Sequence, residues 1–127
     1  MKSYEFKNIK FIIGTTAKEN WEILDNMKNL NEEYLWFHLN SFPSPYVIMN
    51  CSKNEMEKMY NKNQIKDIIE FGAKLCKENS KYKFLNDLKI LYIPLKNLEK
   101  GEKIGEVIIS GKKNTISLWF NEWIFWY

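Results

Sequence analysis

Residues 34–51 read YLWFHLNSFPSPYVIMNC, two apolar segments separated by a turn that contains two prolines. Aromatic and β-branched residues dominate residues 35–39 and 46–51, which is typical of strands. The prolines lack the N–H that a strand ladder needs, and they fix φ. We therefore predict that residues 40–45 form a turn and that the two flanking strands pair with each other.

Upstream of this segment, the sequence predicts strand and then helix. Residues 4–13 contain two short strand-like stretches and end at Gly14. Thr16 and Glu19 have the spacing of a capping box, and Asn20 is a second possible N-cap. An amphipathic helix follows and ends in an asparagine-rich stretch. Because two residues are possible N-caps, the start of this helix is predicted only to within one turn.

Downstream, the pattern predicts one short helical piece and one long helix. Ser52 and Glu55 are spaced to cap the short piece. Residues 64–79 form the longer helix, because apolar residues recur there at helical spacing while lysines fall elsewhere on the wheel. Gly72 lies on the apolar stripe, where the absence of a side chain would let a strand approach closely.

The last third of the chain reads as strands separated by a lysine-rich loop. Residues 88–93 form a strand that stops at a proline, and the loop covers residues 96–103. Residues 105–109 and 115–120 are predicted to form a hairpin. Strands outnumber helices and do not alternate with them as βαβ units, which predicts a single α+β domain over residues 1–127, with a mostly antiparallel sheet and two main helices.

Composition excludes several classes of protein. The chain of 127 residues is 45% hydrophobic, enough for one packed core, and it has no apolar run long enough to cross a membrane. Cys51 and Cys76 lack metal-site spacing, and His38 is the only histidine. We therefore expect a cytoplasmic protein with reduced, buried cysteines and with no metal, no cofactor and no membrane partner.

All 19 basic residues are lysines, and they concentrate in the second half of the chain. Residues 74–113 hold ten lysines and five acidic residues. Without arginine such a chain can hold a phosphate backbone but is poorly equipped to read duplex sequence. The lysines form either a phosphate-binding surface or a solvated face. The candidates for this surface are Lys74, Lys77, Lys81, Lys83, Lys89, Lys96, Lys100 and Lys103.

Several short motifs occur in the order that characterises one known family. They are Gly14 with Asn20, residues 34–38 with 43–48, residues 79–81, residues 91–98 and residues 105–107. This set resembles the NFACT-R family, the RNA-binding module of RqcH-type ribosome quality-control proteins, and it covers about residues 11–120. Small free-standing eukaryotic proteins also carry the module, and some of them bind DNA.

The resemblance implies a non-enzymatic module that binds RNA, such as tRNA or ribosomal RNA, in translation or ribosome quality control. DNA is a second possible ligand and the ribosome a possible partner. The sequence departs from the family at four positions: Tyr34 replaces an acidic residue, Ser44-Pro45 replaces Gly-Ser, and Tyr46 replaces a histidine. These departures motivate an alternative function, a protein-interaction domain that kept the fold after losing the polar centre.

Four side chains outside the lysine set are candidate contacts for a nucleotide. Strand alternation puts Trp36 and His38 on one face, where either can stack on or hydrogen-bond to a nucleotide. Tyr46 can add a stacking ring if the strands pair, and Asn20 can contact the ligand. The alternatives are structural: a core tryptophan, a hydrogen-bonded histidine, a packed tyrosine and an N-cap asparagine.

The C-terminal residues are unusually aromatic. Trp123, Phe125, Trp126 and Tyr127 can close the core or form a homodimer contact, since aromatic anchors dominate interfaces. Catalysis has little support, because the sequence has no phosphate-binding glycine loop and no nucleophile elbow. A cysteine paired with the histidine is the remaining catalytic possibility, and both cysteines lie in apolar patterns.

Overall fold

The computed structural model describes residues 1–118. The strands are β1 (Lys2–Phe6), β2 (Ile9–Gly14), β3 (Tyr34–Leu39), β4 (Tyr46–Ser52), β5 (Leu88–Pro94), β6 (Leu98–Lys100), β7 (Val107–Ile109) and β8 (Asn114–Leu118). The helices are α1 (Ala17–Leu30), α2 (Lys53–Met59) and α3 (Lys62–Glu78), and a 3-10 turn covers Leu95–Asn97. No helix in the described residues is long and apolar enough to cross a membrane.

Six strands form one sheet in the order β1-β2-β4-β3-β5-β8, and every neighbouring pair is antiparallel. The predicted pairing of β3 with β4 is confirmed, with Trp36 opposite Ile48 and Phe37 opposite Val47. β6 and β7 form a separate two-stranded sheet. The predicted α+β class with a mostly antiparallel sheet is confirmed. The predicted short helical piece is α2, and Ser52 and Glu55 form its capping box as their spacing predicted.

The large sheet has a buried cluster on each face, because successive side chains of a strand point to opposite sides. Phe37 belongs to the cluster under α2 and α3, whereas Trp36 belongs to the cluster with α1. The small β6–β7 sheet packs on this second cluster through Val107 and Ile109. The predicted alternation along β3 is therefore confirmed, and His38 lies on the α1 side with Trp36.

The start of α1 resolves the ambiguity between two possible N-caps. Thr16 is the N-cap, and its side chain accepts a hydrogen bond from the backbone N–H of Glu19. The Glu19 carboxylate bonds to the backbone and the hydroxyl of Thr15 instead of closing a capping box. The N-cap role for Asn20 is wrong, because Asn20 lies inside the first turn of α1 and is buried.

The longest helix, α3, is fixed at its start by Asn61, whose side chain and that of Gln64 form a complete capping box. In the middle of the helix, a Cβ on Gly72 would lie 2.5 Å from the Phe37 ring. The glycine thus lets α3 lie directly on β3, as its place on the apolar stripe predicted.

One predicted hairpin is wrong. Residues 105–109 and 115–120 do not pair in the described part of the chain, because β7 pairs with β6 and β8 pairs with β5. The reason is packing: Val107 and Ile109 face the α1 cluster, whereas Ile116 and Leu118 pack against the α3 cluster. The glycine-containing stretch 110–113 therefore joins two sheets.

Candidate nucleic-acid interface

A cleft of about 450 Å³ opens at one end of the large sheet, where β2 and β3 end and β4 begins. The start of α1, the β3–β4 turn, the end of α3 and the β6–β7 loop complete its walls. The cleft therefore gathers segments that are far apart in the sequence. Four of the residues predicted as a binding site line it: Asn20, His38, Tyr46 and Lys81.

Asn20 is held in place by the adjacent strand. Its Oδ1 accepts a hydrogen bond from the backbone N–H of Tyr46 at 3.2 Å. A Cβ on Gly14 would overlap this Oδ1, so the glycine provides the space that Asn20 occupies. The amide nitrogen of Asn20 makes no hydrogen bond to another part of residues 1–118, which leaves a donor for a ligand in the cleft.

His38 is half-buried and sits between two aromatic rings. Its ring stacks on Trp36 at a centroid distance of 5.1 Å and meets Tyr46 edge-on at 5.7 Å. Nδ1 lies 2.8 Å from the carbonyl oxygen of Leu39, so this nitrogen carries the hydrogen and donates it. Burial lowers the pKa of His38 below its ordinary value of 6.5, although the Leu39 carbonyl opposes this effect. In the neutral ring, Nε2 is consequently an acceptor.

Tyr46 connects the sheet to the β6–β7 loop. Its hydroxyl donates a hydrogen bond to the carbonyl oxygen of Gly105, and burial raises the pKa of this hydroxyl. The side chain is only 1% exposed. Because its ring faces are covered, Tyr46 can shape the wall of the cleft but does not offer a stacking surface.

The end of α3 supplies the cation that lines the cleft. Ser80 donates to the carbonyl oxygen of Lys77 and accepts from the backbone N–H of Tyr82, which fixes the chain as it leaves the helix. Lys81 follows and is exposed, and no carboxylate within residues 1–118 pairs with it. Its charge is therefore available to a phosphate.

Two further lysines lie beside the cleft. Lys89 is exposed on β5, two residues from Leu91, which is the cross-strand partner of His38. Diagonal neighbours on one face lie about 7 Å apart, within reach of a lysine side chain. Lys103 is exposed in the β6–β7 loop, immediately before Ile104 and Gly105 of the cleft wall.

The structure separates four of the candidate lysines from this cleft, whereas Lys83 is exposed two residues after Lys81. Lys96 pairs with Glu33 at 2.7 Å, and Lys100 pairs with Asp25 at 2.9 Å. Lys74 lines a different depression, which also contains Phe6 and Phe71, and Lys77 is buried. Of the two alternatives for these lysines, a shared phosphate-binding surface thus remains open only for Lys81, Lys83, Lys89 and Lys103.

Trp36 is also placed away from direct contact. It is 1% exposed, and its Nε1 has no hydrogen-bond partner among the described residues. One face of the Trp36 ring stacks on His38 and the Tyr46 ring lies perpendicular to it, so Trp36 has no exposed face for a nucleotide. The observed environment of Trp36 is that of a core tryptophan, the structural alternative to nucleotide contact.

Sequence reasoning missed part of the cleft wall. Ser44 accepts a hydrogen bond from the backbone N–H of Leu39 and donates to the carbonyl oxygen of Pro45, which stabilises the β3–β4 turn. Tyr82 lines the cleft and packs on Phe42, which is exposed next to it. The only signal in the sequence was the alternation of lysine and aromatic residues at positions 81–84.

The residues that line the cleft include no cysteine, and both thiols are buried. Within residues 1–118, no group of three histidine, cysteine or acidic residues could hold a metal ion. Burial raises the pKa of the Cys51 thiol to about 11 and that of Cys76 to about 12. The aromatic residues predicted as a homodimer contact, positions 123–127, lie outside the described part of the chain.

The family model of the NFACT protein RNA binding domain matches residues 3–115. This chain belongs to that family. The NFACT-R resemblance inferred from the short motifs is thereby confirmed. Because the family is one of RNA-binding domains, membership supports a nucleic-acid-binding module.

A solved structure supports the fold independently. The C-terminal of the fibronectin/fibrinogen-binding protein from Streptococcus suis is similar, with a TM-score of 0.67 and 23% identity. The match covers 90% of the chain described here but only 42% of the Streptococcus suis chain. At this identity, the likeness shows a shared α+β architecture. No curated protein matches the chain.

Proposed function

We propose that the chain is a cytoplasmic, non-enzymatic module that binds tRNA or ribosomal RNA, in translation or ribosome quality control, through the cleft at the end of the large sheet. One observation carries the proposal. Asn20, His38, Asn79 with Ser80, and Gly105 come from four separate motifs of the NFACT-R resemblance, and all of them line this cleft. A common ligand site gives such distant residues a common role.

The chemistry of the cleft suits a ribose-phosphate segment. Lys81 lies in the wall, and Lys89 and Lys103 are exposed beside it, so their positive charge attracts the phosphates of a strand that enters the cleft. Asn20 offers amide hydrogens, and the neutral His38 offers an acceptor at Nε2. A ribose 2′-hydroxyl can donate to this acceptor, and DNA has no such group, which favours RNA.

A salt titration tests the role of the cleft. Binding of a labelled tRNA is measured by fluorescence polarisation at about 50 mM and about 200 mM salt, for the wild type and Lys81→Gln. If one phosphate contact is lost, affinity falls, and the slope of log K against log salt becomes flatter by roughly 0.7 to 0.9.

Lys58→Gln is the matched control, because it removes the same charge from an exposed lysine of α2, which follows the end of β4 farthest from the cleft, and no carboxylate within residues 1–118 pairs with it. We expect its affinity and salt slope to equal those of the wild type. Equal losses in the two variants would mean that RNA binding depends on total charge and not on the cleft. An absence of binding to tRNA and ribosomal RNA fragments at low salt would contradict the proposal itself.

Two parallel measurements address the other partners that the sequence suggested. A DNA strand of identical sequence, titrated under the same conditions, should bind more weakly, and equal affinity would remove the argument for the 2′-hydroxyl. Light scattering of the wild type and of Trp123→Ala/Trp126→Ala tests a homodimer through the aromatic C-terminus. A dimer mass for the wild type with a monomer mass for the double variant would support that contact, and a monomer mass for both would contradict it.

A further inference from the structure

Exposed aromatic rings lie at the mouth of the cleft. Phe42, in the β3–β4 turn, is 37% exposed and packs on Tyr82, with the ring centroids 4.6 Å apart and the planes tilted by 33°. Tyr82 itself lines the cleft, as does Pro43, which follows Phe42. Phe84, two residues beyond Tyr82, is 74% exposed. Phe42 and Tyr82 thus form a partly exposed aromatic pair beside the cleft, where a ligand in the cleft can reach it.

Charge around these rings is mainly positive. Lys81 and Lys83 alternate with Tyr82 and Phe84, and the Lys83 ammonium lies 5.1 Å from the centroid of the Phe84 ring. Asp87 is the only acidic residue in the segment 80–90. Aromatic rings interleaved with cations match a ligand that carries both flat rings and negative charge, which is the composition of a nucleic acid strand.

We propose that the Phe42–Tyr82 pair stacks on the base of an unpaired nucleotide, while Lys81 and Lys83 hold the adjacent phosphates. This inference rests on the proposed function and deepens it, because it names the ligand class as single-stranded or looped-out RNA. A base within a duplex has both faces covered by its neighbours, so an external aromatic pair cannot stack on it. A strand with unstacked bases can present a base face to Phe42 and its backbone to the lysines.

The test combines protein variants with ligands that lack bases. Phe42→Leu and Tyr82→Leu each keep an apolar side chain but remove one aromatic ring. Three RNA ligands are compared: an unstructured strand, the same strand annealed to its complement, and a strand of equal length whose central nucleotides are abasic. Tyr4→Leu is the control, since Tyr4 is 41% exposed on β1 and does not line the cleft.

If the rings stack on a base, the wild type binds the unstructured strand more tightly than the duplex. Each cleft-mouth variant then binds the unstructured strand about tenfold more weakly, as loss of one stacking contact predicts. The abasic strand also binds the wild type about tenfold more weakly than the unstructured strand does. Phe42→Leu does not weaken binding of the abasic strand further, because the base on which the Phe42 ring would stack is already absent. Tyr4→Leu binds every ligand like the wild type.

The outcomes separate this inference from the proposed function. If the wild type binds the duplex as tightly as the unstructured strand, or if Phe42→Leu and Tyr82→Leu both bind like the wild type, the inference is overturned. The inference is also overturned if Phe42→Leu weakens binding of the abasic strand as much as it weakens binding of the unstructured strand. RNA binding that still depends on Lys81 would leave the proposed function intact in these cases, whereas no binding to any RNA would contradict both. Urea unfolding of each variant confirms that it is folded.

Discussion

Replacing Gly14 by alanine should disrupt the cleft from within the sheet. The backbone of this residue accepts any side chain, since its φ is not positive. The obstacle is Asn20, because the new Cβ would overlap the Asn20 Oδ1 and would lie only 3.0 Å from the Asn20 backbone nitrogen. Asn20 is buried, so its side chain must leave its place and give up the hydrogen bond to the backbone N–H of Tyr46.

The free-energy change follows from these contacts. At an unobstructed position, Gly→Ala stabilises a protein by about 0.4 to 1 kcal/mol through the unfolded chain. Against this, a buried N–H without a partner costs about 1 to 3 kcal/mol, and an overpacked core costs about 1 to 3 kcal/mol. The two costs do not simply add, because moving Asn20 relieves the overlap and gives up the hydrogen bond in the same step. We therefore expect Gly14→Ala to lower the free energy of unfolding by about 2 kcal/mol.

Urea unfolding, with a matched glycine and a second-site change, measures the effect. In Gly101→Ala the new Cβ would meet the side chain of Glu106, which is exposed and can move, so the free energy of unfolding should change by less than about 0.5 kcal/mol. In an Asn20→Ala background the overlap with Oδ1 is gone and only the close approach to the Asn20 backbone remains, so Gly14→Ala should add a further loss of less than about 1 kcal/mol. A cost of about 2 kcal/mol that persists in that background would refute the reasoning, as would equal costs at the two glycines.

Two further predictions concern titrating groups. Burial lowers the pKa of His38 in the folded state, so the unfolded chain binds the proton more readily. The contribution of the neutral His38 to the free energy of unfolding is therefore complete above about pH 6.5 and is lost as the pH falls through the lowered pKa. His38→Gln should flatten the pH dependence of unfolding in that window, and a dependence unchanged from the wild type would contradict this. With its pKa at about 11 instead of 9.0, Cys51 carries roughly 100-fold less thiolate than a free cysteine, and Cys76 carries less still. Iodoacetamide at neutral pH should therefore label both thiols only in urea, and rapid labelling of the folded protein would contradict the burial.

The fold was predictable wherever local chemistry decides the structure. The prolines at positions 43 and 45 and the apolar runs beside them determine the β3–β4 pair, and helical spacing determines α3. The hairpin prediction for residues 105–120 failed because a short apolar strand does not reveal which partner it will have. β7 is apolar at all three positions and β8 alternates, and nothing in either pattern shows that Val107 and Ile109 pack on one face of the large sheet while Ile116 and Leu118 pack on the other. Only the tertiary structure specifies that choice.

The candidate site was predictable in its centre and not at its edges. Asn20, His38 and Tyr46 could be proposed from motif order, and they line one cleft. The lysines could not be sorted, because charge in a sequence does not show which carboxylate lies opposite. Lys96 faces Glu33, for example, which is distant in the sequence. A lysine on a strand, such as Lys89, reaches the site through a register that the sequence does not reveal.

The departures from the family pattern affect the wall of the cleft more than its free polar groups. The hydroxyl of Ser44 bonds to the turn that contains it, and the hydroxyl of Tyr46 bonds to the carbonyl oxygen of Gly105. Both polar groups are therefore used within the fold. Asn20 and His38 match the family positions and retain an unused donor and an unused acceptor toward the rest of residues 1–118. If the cleft binds RNA as we propose, recognition should therefore depend on the matching residues, while Ser44 and Tyr46 set the shape of the site.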